Sequence, residues 1–376
     1  MMPVKNTAAL AACLLLLTLF LPVRVHAEET PAVLLVEAST GCVLAEENAD
    51  TPLPVGSLAK LMTALLAGQA IEAGELTPET PLTAGESVRS VEGAVIWLQP
   101  GDTATVEELL LGLLIGNAND AAAVLAARIS GSSEAFVMDM NAAAFDLGMR
   151  DTHFTTPQGY DDPAAYSTAR DMGKLACAVL QCDALQPYLS IWRTIIREEQ
   201  TPAELVNENT LTRTYDGCCG LKAAHSPAAG YCVIAAARRG GMTCAAVVLG
   251  CEDADERFAI AKKRLNSAFS GYQLTVPGFS EEFLMPLRIR GGTENAVLLS
   301  AEKVPLLAVP KNAQPEAVIV LPEFHSAPVR KGMPVGRVCF YSGDTLLCET
   351  ALVAAEDVPA MTCRHALLSA WRAFFR

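Results

Sequence analysis

Residues 54–67 read PVGSLAKLMTALLA, and this stretch decides how the first part of the chain folds. Apolar side chains recur at i, i+3, i+4 and i+7, the spacing of one helix face. These positions are Leu58, Leu61, Met62 and Leu65. Ser57 stands where an N-cap or first-turn residue belongs, and Gly74 is typical of a helix stop. The pattern therefore predicts a helix that begins at Ser57 and ends near Gly74.

Ser57 and Lys60 are three residues apart, so on a helix their side chains share one face and could touch. A lysine held out of water near other cations loses its proton more easily, and a neutral amine can accept the proton of a serine hydroxyl. The helix N-terminus adds positive potential for a developing oxyanion. An N-cap serine beside a surface lysine is the alternative, and for these four residues alone it is the better explanation, because S-x-x-K arises by chance in many chains.

Other catalytic motifs are missing from the sequence. It contains no G-x-S-x-G, H-E-x-x-H, G-x-G-x-x-G or P-loop. Beyond the first 27 residues, the histidines are His153, His225, His325 and His365, and none stands in a context typical of a triad base. No Cys-x-x-Cys pair or Cys/His cluster has zinc spacing, so we expect no metal and no cofactor. A hydrolase built on this chain would need a base other than histidine.

The composition favours an exported globular protein of two domains. The chain has 376 residues, of which 51% are hydrophobic and 19% charged, and its formal net charge is -14. Such an acidic chain does not favour nucleic acid as a partner. Residues 1–27 combine Lys5, an apolar run and the small-residue pattern of Val25-His26-Ala27, which predicts a cleaved signal peptide. An uncleaved membrane anchor is the alternative.

The 12 cysteines lie mostly in apolar runs and are interpreted as small buried hydrophobic residues. Examples are Cys177, Cys232, Cys244 and Cys251. One pair differs, because VCFYSGDTLLCE is typical of a hairpin that turns at Gly343-Asp344. A two-residue turn there would place Cys339 directly opposite Cys348, where side chains lie closest. We therefore formulate a disulfide between these two cysteines as a hypothesis.

The order of elements follows from the periodicity of hydrophobic residues and from the Gly and Pro residues that separate the elements. Two strands are predicted around the turn at residues 39–41, and a hairpin at Gly240-Gly241. Helices are predicted over Thr105–Ile115, Asp120–Ile129, Ser133–Leu147 and residues 253–269. Residues 276–362 contain short β-rich runs that Gly and Pro interrupt, which predicts a small all-β domain.

Residues 363–376 have an amphipathic pattern of their own. One helix face would carry Leu367, Leu368, Trp371, Phe374 and Phe375. The other would carry His365, Ser369, Arg372 and Arg376. A basic face opposite an aromatic face is typical of a helix lying in a membrane interface. Docking of this helix on the β domain is the alternative, and the basic, aromatic character in an acidic chain favours the membrane.

Several long segments resemble one family, the serine-type D-alanyl-D-alanine carboxypeptidases, which are low-molecular-mass penicillin-binding proteins of peptidase family S11. The stretch around Ser57 resembles the family's first motif, and LLLGLLIGNANDAAAVLAARISG resembles its second-motif helix. AYSTARDMGKLA resembles a further family segment, and LVNENTLTRTYDGCCGLKAAHSPAAGYC resembles the third-motif region. The order and spacing match from about residue 30 to residue 270, and the β domain and tail match the family's usual accessories.

The resemblance implies a two-step acyl transfer. Ser57 would attack the carbonyl between the two terminal D-alanines of a peptidoglycan stem peptide, and Lys60 would take its proton. D-alanine would leave, and water would hydrolyse the acyl-enzyme. The backbone N–H groups of Ser57 and His225 would be the oxyanion donors, and Lys222 would help place the terminal carboxylate. β-Lactams would acylate the same serine.

The second and third motifs depart from the family pattern. Asn117 stands where the S-x-N motif has Ser, although Asn119 is kept; an amide can hydrogen-bond but is a poor proton shuttle. Ala223 and Ala224 stand in place of Thr and Gly of K-T-G, while Ser226 still supplies a hydroxyl two residues later. We count Ser57, Lys60, Asn117 and Asn119 as catalytic candidates, and Lys222, His225 and Ser226 as substrate-binding candidates.

Alternative functions therefore stay open at this point. A carboxypeptidase that trims stem peptides is one, and a catalytically impaired wall-binding or regulatory relative is another. A β-lactamase is a third and weaker one, because no deacylation motif is visible. The expected fold is α+β, with a β-lactamase-like domain of antiparallel sheet and helical cluster over residues 28–275, then the β domain and the amphipathic helix. We expect the protein outside the cytoplasmic membrane, facing the cell wall.

Overall fold

The computed structural model describes residues 31–198, 201–280 and 284–365, together with Leu367 and Trp371. Its α-helices are α1 (Lys60–Glu72), α2 (Val106–Leu114), α3 (Asn119–Ser130), α4 (Ser133–Asp146), α5 (Ala169–Gln181), α6 (Gln186–Leu189), α7 (Leu211–Thr214) and α8 (Ala254–Gly271). Short 3-10 helices span Gly56–Ala59, Glu86–Ser90 and Asp183–Leu185. The helices predicted in this part of the chain are confirmed to within a few residues at each end.

The strands fall into two groups along the chain. The first group is β1 (Ala32–Glu37), β2 (Val43–Glu47), β3 (Pro81–Thr83), β4 (Thr103–Thr105), β5 (Arg193–Ile196), β6 (Ala203–Val206), β7 (Cys218–Ser226), β8 (Gly230–Arg239), β9 (Met242–Cys251) and β10 (Tyr272–Thr275). The second is β11 (Leu287–Arg290), β12 (Ala296–Val297), β13 (Leu299–Ala301), β14 (Leu307–Pro310), β15 (Glu316–Val320), β16 (His325–Ser326), β17 (Pro334–Ser342) and β18 (Thr345–Ala354).

A five-stranded antiparallel sheet in the order β2-β1-β9-β8-β7 forms the centre of the first part. The predicted β1–β2 pair and the predicted hairpin at Gly240-Gly241 are both present, and both glycines have positive φ, as a tight hairpin turn requires. Helix α8 covers one face of the sheet, and helices α1 and α5 cover the other. Because both faces are buried, β8 and β9 are continuous apolar runs rather than alternating ones.

Helix α1 packs among α2, α3, α4 and α5. Nearly all of its residues are buried, because small alanines fill the positions between the leucines of the predicted stripe. The chain enters α1 through the 3-10 turn Gly56–Ala59, and no side chain caps either element. The prediction of a helix here is confirmed, but α1 itself begins at Lys60 and Ser57 lies in the 3-10 turn before it. Ser57 does not act as an N-cap, and its hydroxyl is left available.

The later part of the chain is all β in its regular structure, as predicted. It contains a four-stranded sheet in the order β13-β18-β17-β15 and a three-stranded sheet in the order β12-β11-β16. Strand β10 pairs with β14, so one small sheet joins the end of the first part to the second. The domain boundary at residues 275/276 stays a prediction.

The proposed disulfide between Cys339 and Cys348 is wrong. In the β17–β18 hairpin Cys339 lies opposite Glu349, and Cys348 lies opposite Phe340. An irregularity next to Tyr341 shifts the register by one residue, and a one-residue shift turns side chains to opposite faces of a sheet. Both thiols are free, as are all cysteines in the described part of the chain.

The interpretation of the other cysteines as buried hydrophobic residues is confirmed for the four singled out, Cys177, Cys232, Cys244 and Cys251. Burial raises the pKa of Cys177, Cys244 and Cys251 to about 12 and that of Cys232 to about 11. These thiols therefore stay protonated and inert at physiological pH.

Two predicted segments lie wholly or mostly outside the described residues: the signal peptide, 1–27, and the amphipathic helix, 363–376. Within the second, the described side chains of Leu367 and Trp371 are exposed. None of the helices in the described ranges is long and apolar enough to cross a membrane.

Candidate active site

Ser57 and Lys60 open into one cleft with a volume of about 340 Å³. The 3-10 turn places Ser57 at the cleft wall, and its buried Oγ has no hydrogen-bond partner among the described residues. Lys60 is almost fully buried, and its Nζ donates to the carbonyl of Gln158 at 2.7 Å. The structure thus excludes the surface-lysine alternative, because this lysine lies inside the molecule beside a serine without a partner.

The charge state of Lys60 follows from its surroundings. Burial, and next the nearby Lys222 ammonium, lower the pKa of Lys60 well below its ordinary range, while Glu208 acts in the opposite direction. A fully buried ammonium that has a neutral carbonyl as its partner in the described structure is costly, so the amine loses its proton readily. Lys60 can therefore accept a proton from a neighbouring hydroxyl more readily than an exposed lysine can.

The second motif lies in the connection between α2 and α3. Asn117 has a φ of +58°, a left-handed conformation that asparagine adopts more readily than most residues. The Nδ2 group of Asn119 donates to the carbonyl of Glu92 at 2.6 Å. The side-chain oxygens of both asparagines are buried without a hydrogen-bond partner in the described structure, and both residues line the cleft.

The third motif lies on β7, the edge strand of the sheet next to the cleft. Lys222 is buried, and its Nζ donates to the carbonyl of Leu113 at 3.0 Å. Burial lowers the pKa of Lys222 to about 8, against the opposing effect of Glu208. Ala223 and Ala224 are both buried, and they pack in the hydrophobic clusters on opposite faces of the sheet. Neither alanine lines the cleft.

His225 and Ser226 follow on the same strand and line the cleft. The His225 ring stacks on Tyr231, with ring centroids 4.1 Å apart. Ser226 donates from its Oγ to Asp161 at 2.6 Å and accepts from the backbone of Ala229 at 3.0 Å. Six of the seven predicted site residues thus meet in one cleft, and Lys222 lies buried behind it. The oxyanion role of the Ser57 and His225 N–H groups stays a prediction.

Sequence reasoning missed the loop residues that complete the cleft. Glu92, Gln158, Tyr160 and Asp161 all line it. Glu92 and Gln158 act through backbone carbonyls, which carry no residue-type signal. Tyr160 and Asp161 lie in a stretch that the sequence identifies only as a loop, so their approach to Ser57 depends on long-range packing.

Gly159→Ala is expected to destabilise the fold by about 1–3 kcal/mol and to disturb the turn that holds Ser57. Gly159 has a φ of +70°, and a Cβ there would overlap the carbonyl oxygen of Gly56. Gly148→Ala is the matched control, because Gly148 has a φ of +73° but open space around it. Thermal unfolding and labelling of Ser57 by a serine-reactive probe would measure both effects. Equal losses in the two variants would contradict the close contact as the cause.

Comparisons with known proteins place this arrangement in a family. A family model described as D-alanyl-D-alanine carboxypeptidase matches residues 22–253, and one described as penicillin-binding protein 5, C-terminal domain, matches residues 282–360. The D-alanyl-D-alanine carboxypeptidase DacF of Bacillus subtilis is 31% identical over 336 residues, which is 88% of this chain and 86% of the relative.

Solved structures of penicillin-binding proteins share the fold of this chain. Penicillin binding protein 5 from Haemophilus influenzae has a TM-score of 0.79 at 27% identity, covering 87% of this chain and 97% of that one. Penicillin-binding protein D2 from Listeria monocytogenes, in its ampicillin-bound form, has a TM-score of 0.57 at 30% identity, covering 63% of this chain and 96% of that one. The resemblance and the fold class expected from the sequence are thereby confirmed.

Proposed function

Because the chain belongs to the D-alanyl-D-alanine carboxypeptidase family of hydrolases, we propose that it is an active serine carboxypeptidase despite its altered motifs. Its substrate is a peptidoglycan stem peptide ending in D-alanyl-D-alanine, and its product is free D-alanine. The single observation that carries the proposal is the pairing, in one cleft, of an unpartnered Ser57 hydroxyl with a buried Lys60 whose pKa is lowered.

The first half-reaction uses Ser57 as nucleophile. Neutral Lys60 takes the hydroxyl proton as the Ser57 oxygen attacks the penultimate D-alanine carbonyl. Backbone N–H groups of Ser57 and of His225, on the edge strand, stabilise the oxyanion. The C–N bond then breaks, D-alanine leaves with a proton on its amine, and an ester on Ser57 remains for water to hydrolyse.

Substrate binding falls to the second and third motifs. Asn119 is held by Glu92, and the free Oδ1 atoms of Asn117 and Asn119 can accept from peptide N–H groups in the cleft. The positive charge of Lys222, close behind, attracts the terminal carboxylate of the substrate. Ser226, held by Asp161, adds a hydroxyl at the same end of the cleft. Neither Ala223 nor Ala224 lines the cleft. Their presence in place of the Thr and Gly of the family motif therefore leaves this set of groups intact.

Two assays together test the proposal: D-alanine release from a peptide ending in D-Ala-D-Ala, and labelling by a fluorescent penicillin. Release together with long-lived labelling of Ser57 supports the carboxypeptidase. Neither release nor labelling would favour the impaired wall-binding or regulatory relative, whose motif substitutions Asn117, Ala223 and Ala224 are the observation in its favour. Labelling that turns over rapidly would favour a β-lactamase.

The pH profile of kcat/KM is expected to be bell-shaped, with its ascending limb below the usual lysine range. Lys60 is active when neutral, so the rate rises as the pH passes its lowered pKa. Lys222 attracts the substrate carboxylate when charged, so binding weakens as the pH rises past about 8. Steady-state kinetics across pH would measure this profile, and the fall at high pH should come from a rise in KM. A profile without a descending limb would contradict the binding role of Lys222.

We also propose where the protein acts. The pattern of residues 1–27 supports export, and the amphipathic pattern of 363–376 supports attachment to the outer face of the cytoplasmic membrane. The all-β part, within the proposed domain 276–362, would then stand between the membrane and the carboxypeptidase domain, 28–275. Cosedimentation of full-length mature protein with anionic vesicles, compared with a chain ending at residue 362, tests the attachment.

A further inference from the structure

The departure at Asn117 leaves the proposed reaction without a hydroxyl at the second motif. When the C–N bond breaks, the leaving D-alanine amine needs a proton, and an amide side chain cannot supply it. The hydroxyl-bearing residues that line the cleft are Ser57, Tyr160 and Ser226. Ser57 is the nucleophile. Ser226 donates its proton to the Asp161 carboxylate at 2.6 Å, a charged acceptor that holds the proton more tightly than the neutral Glu92 carbonyl, at 3.2 Å, holds that of Tyr160. Among these hydroxyls, Tyr160 is therefore the remaining candidate.

Tyr160 is held beside the second motif. Its hydroxyl donates to the carbonyl of Glu92 and accepts from the backbone N–H of the same residue, both at 3.2 Å. The carbonyl of Glu92 also accepts from Nδ2 of Asn119 at 2.6 Å. The phenol and the second-motif amide thus share one acceptor atom. The ring comes from the loop after Gly159, so a different part of the chain brings its hydroxyl into the cleft that Asn117 also lines, next to the Glu92 carbonyl that holds Asn119.

We propose that Tyr160 is a catalytic residue that replaces the missing second-motif serine and donates the proton to the leaving D-alanine amine. This proposal rests on the proposed carboxypeptidase function. Partial burial, with the carboxylates of Glu92 and Asp120, raises the pKa of Tyr160, so the phenol holds its proton until the amine develops charge. The backbone N–H of Glu92, which already donates to the phenol oxygen, stabilises the phenolate that forms.

The proton balance closes within the cleft. The Ser57 proton moves to Nζ of Lys60 as the O–C bond forms. The Tyr160 proton moves to the amine nitrogen as the C–N bond breaks. The Lys60 ammonium then returns one proton to the phenolate, directly or through water, and both groups regain their starting states. No oxidant, metal or cofactor enters any of these steps.

The test compares two leaving groups. Tyr160→Phe should lower kcat for D-alanine release from the peptide by about 100-fold, within the range for a lost general acid. It should change by less than about threefold the turnover of a thioester analogue, because a thiolate leaves without a proton. Equal losses on both substrates would overturn the proposal, because they would mean that Tyr160 only holds the Glu92 loop. Tyr166→Phe is the matched control, since Tyr166 lies on the same loop outside the cleft and should leave both rates unchanged.

A second measurement uses the motif itself. In an Asn117→Ser background, the restored hydroxyl should reduce the effect of Tyr160→Phe on the peptide to less than about threefold. The same 100-fold loss in both backgrounds would overturn the proposal. Thermal unfolding of all variants controls for the strain that serine meets at a φ of +58°. If the unmodified protein shows neither release nor penicillin labelling, the proposed function is contradicted, and the role of Tyr160 with it. If the unmodified protein releases D-alanine and Tyr160→Phe leaves that release unchanged, only the role of Tyr160 is contradicted.

Discussion

Ser57→Ala is expected to abolish D-alanine release, with a fall in kcat on the order of 10⁴-fold or more, because no other group can form the acyl-enzyme. The variant removes one buried oxygen that has no partner, so the fold should be unaffected. Release of D-alanine by coupled assay measures the effect. The mass of penicillin-treated protein should show one adduct on the unmodified chain and none on the variant.

The control for this variant is Ser267→Ala on helix α8, an exposed serine far from the first motif in sequence. It should keep both release and the adduct. Release that survives Ser57→Ala would show that another nucleophile acts, and it would remove the basis for the mechanism. An adduct that survives without release would place acylation on a second serine.

Lys60→Met is expected to lower the rate of acylation by about 10³-fold, both by the peptide and by penicillin, because it removes the general base and keeps the length of the side chain. The Gln158 carbonyl loses its donor, which costs about 1–3 kcal/mol. Relief of the buried amine partly offsets this cost. The variant should therefore fold. Stopped-flow labelling with a fluorescent penicillin measures the acylation step separately from deacylation.

Lys262→Met on α8 is the matched control, because it removes an exposed lysine and should leave acylation unchanged. Acylation by Lys60→Met within tenfold of the unmodified rate would mean that the serine is activated by another group. In that case the lowered pKa of Lys60 would be a consequence of burial without a catalytic use.

The geometry of the cleft changes how strongly each altered motif residue counts against catalytic activity. At the sequence level, three substitutions in two motifs count equally against activity. In the structure, Ala223 and Ala224 do not line the cleft, whereas Asn117 does. The question of activity therefore concentrates on the missing hydroxyl at position 117, which the two-background comparison with Tyr160→Phe addresses.

Local patterns determined much of the fold from sequence alone. The leucine spacing after Ser57 gave helix α1, and Gly240-Gly241 gave the β8–β9 hairpin, because both depend on neighbours within a few residues. Ser57 and Lys60 line the same cleft for the same reason, since only one helical turn separates them. The hairpin of Cys339 and Cys348 shows where local patterns no longer suffice. Its position was predictable, but its register depends on an irregularity that the residues of the turn do not indicate.

Only the tertiary structure decided what the site can do. The partner of Lys60 is a carbonyl 98 residues away, and that of Lys222 is a carbonyl 109 residues away. Burial lowers the pKa of both lysines, and the nearby Lys222 ammonium lowers that of Lys60 further. Both effects depend on how sheet and helices pack. Tyr160 and Asp161 reach the cleft in the same way, through loops. Sequence patterns report contacts within a helix turn or a hairpin, whereas the desolvation and long-range contacts that set the chemistry exist only in the folded chain.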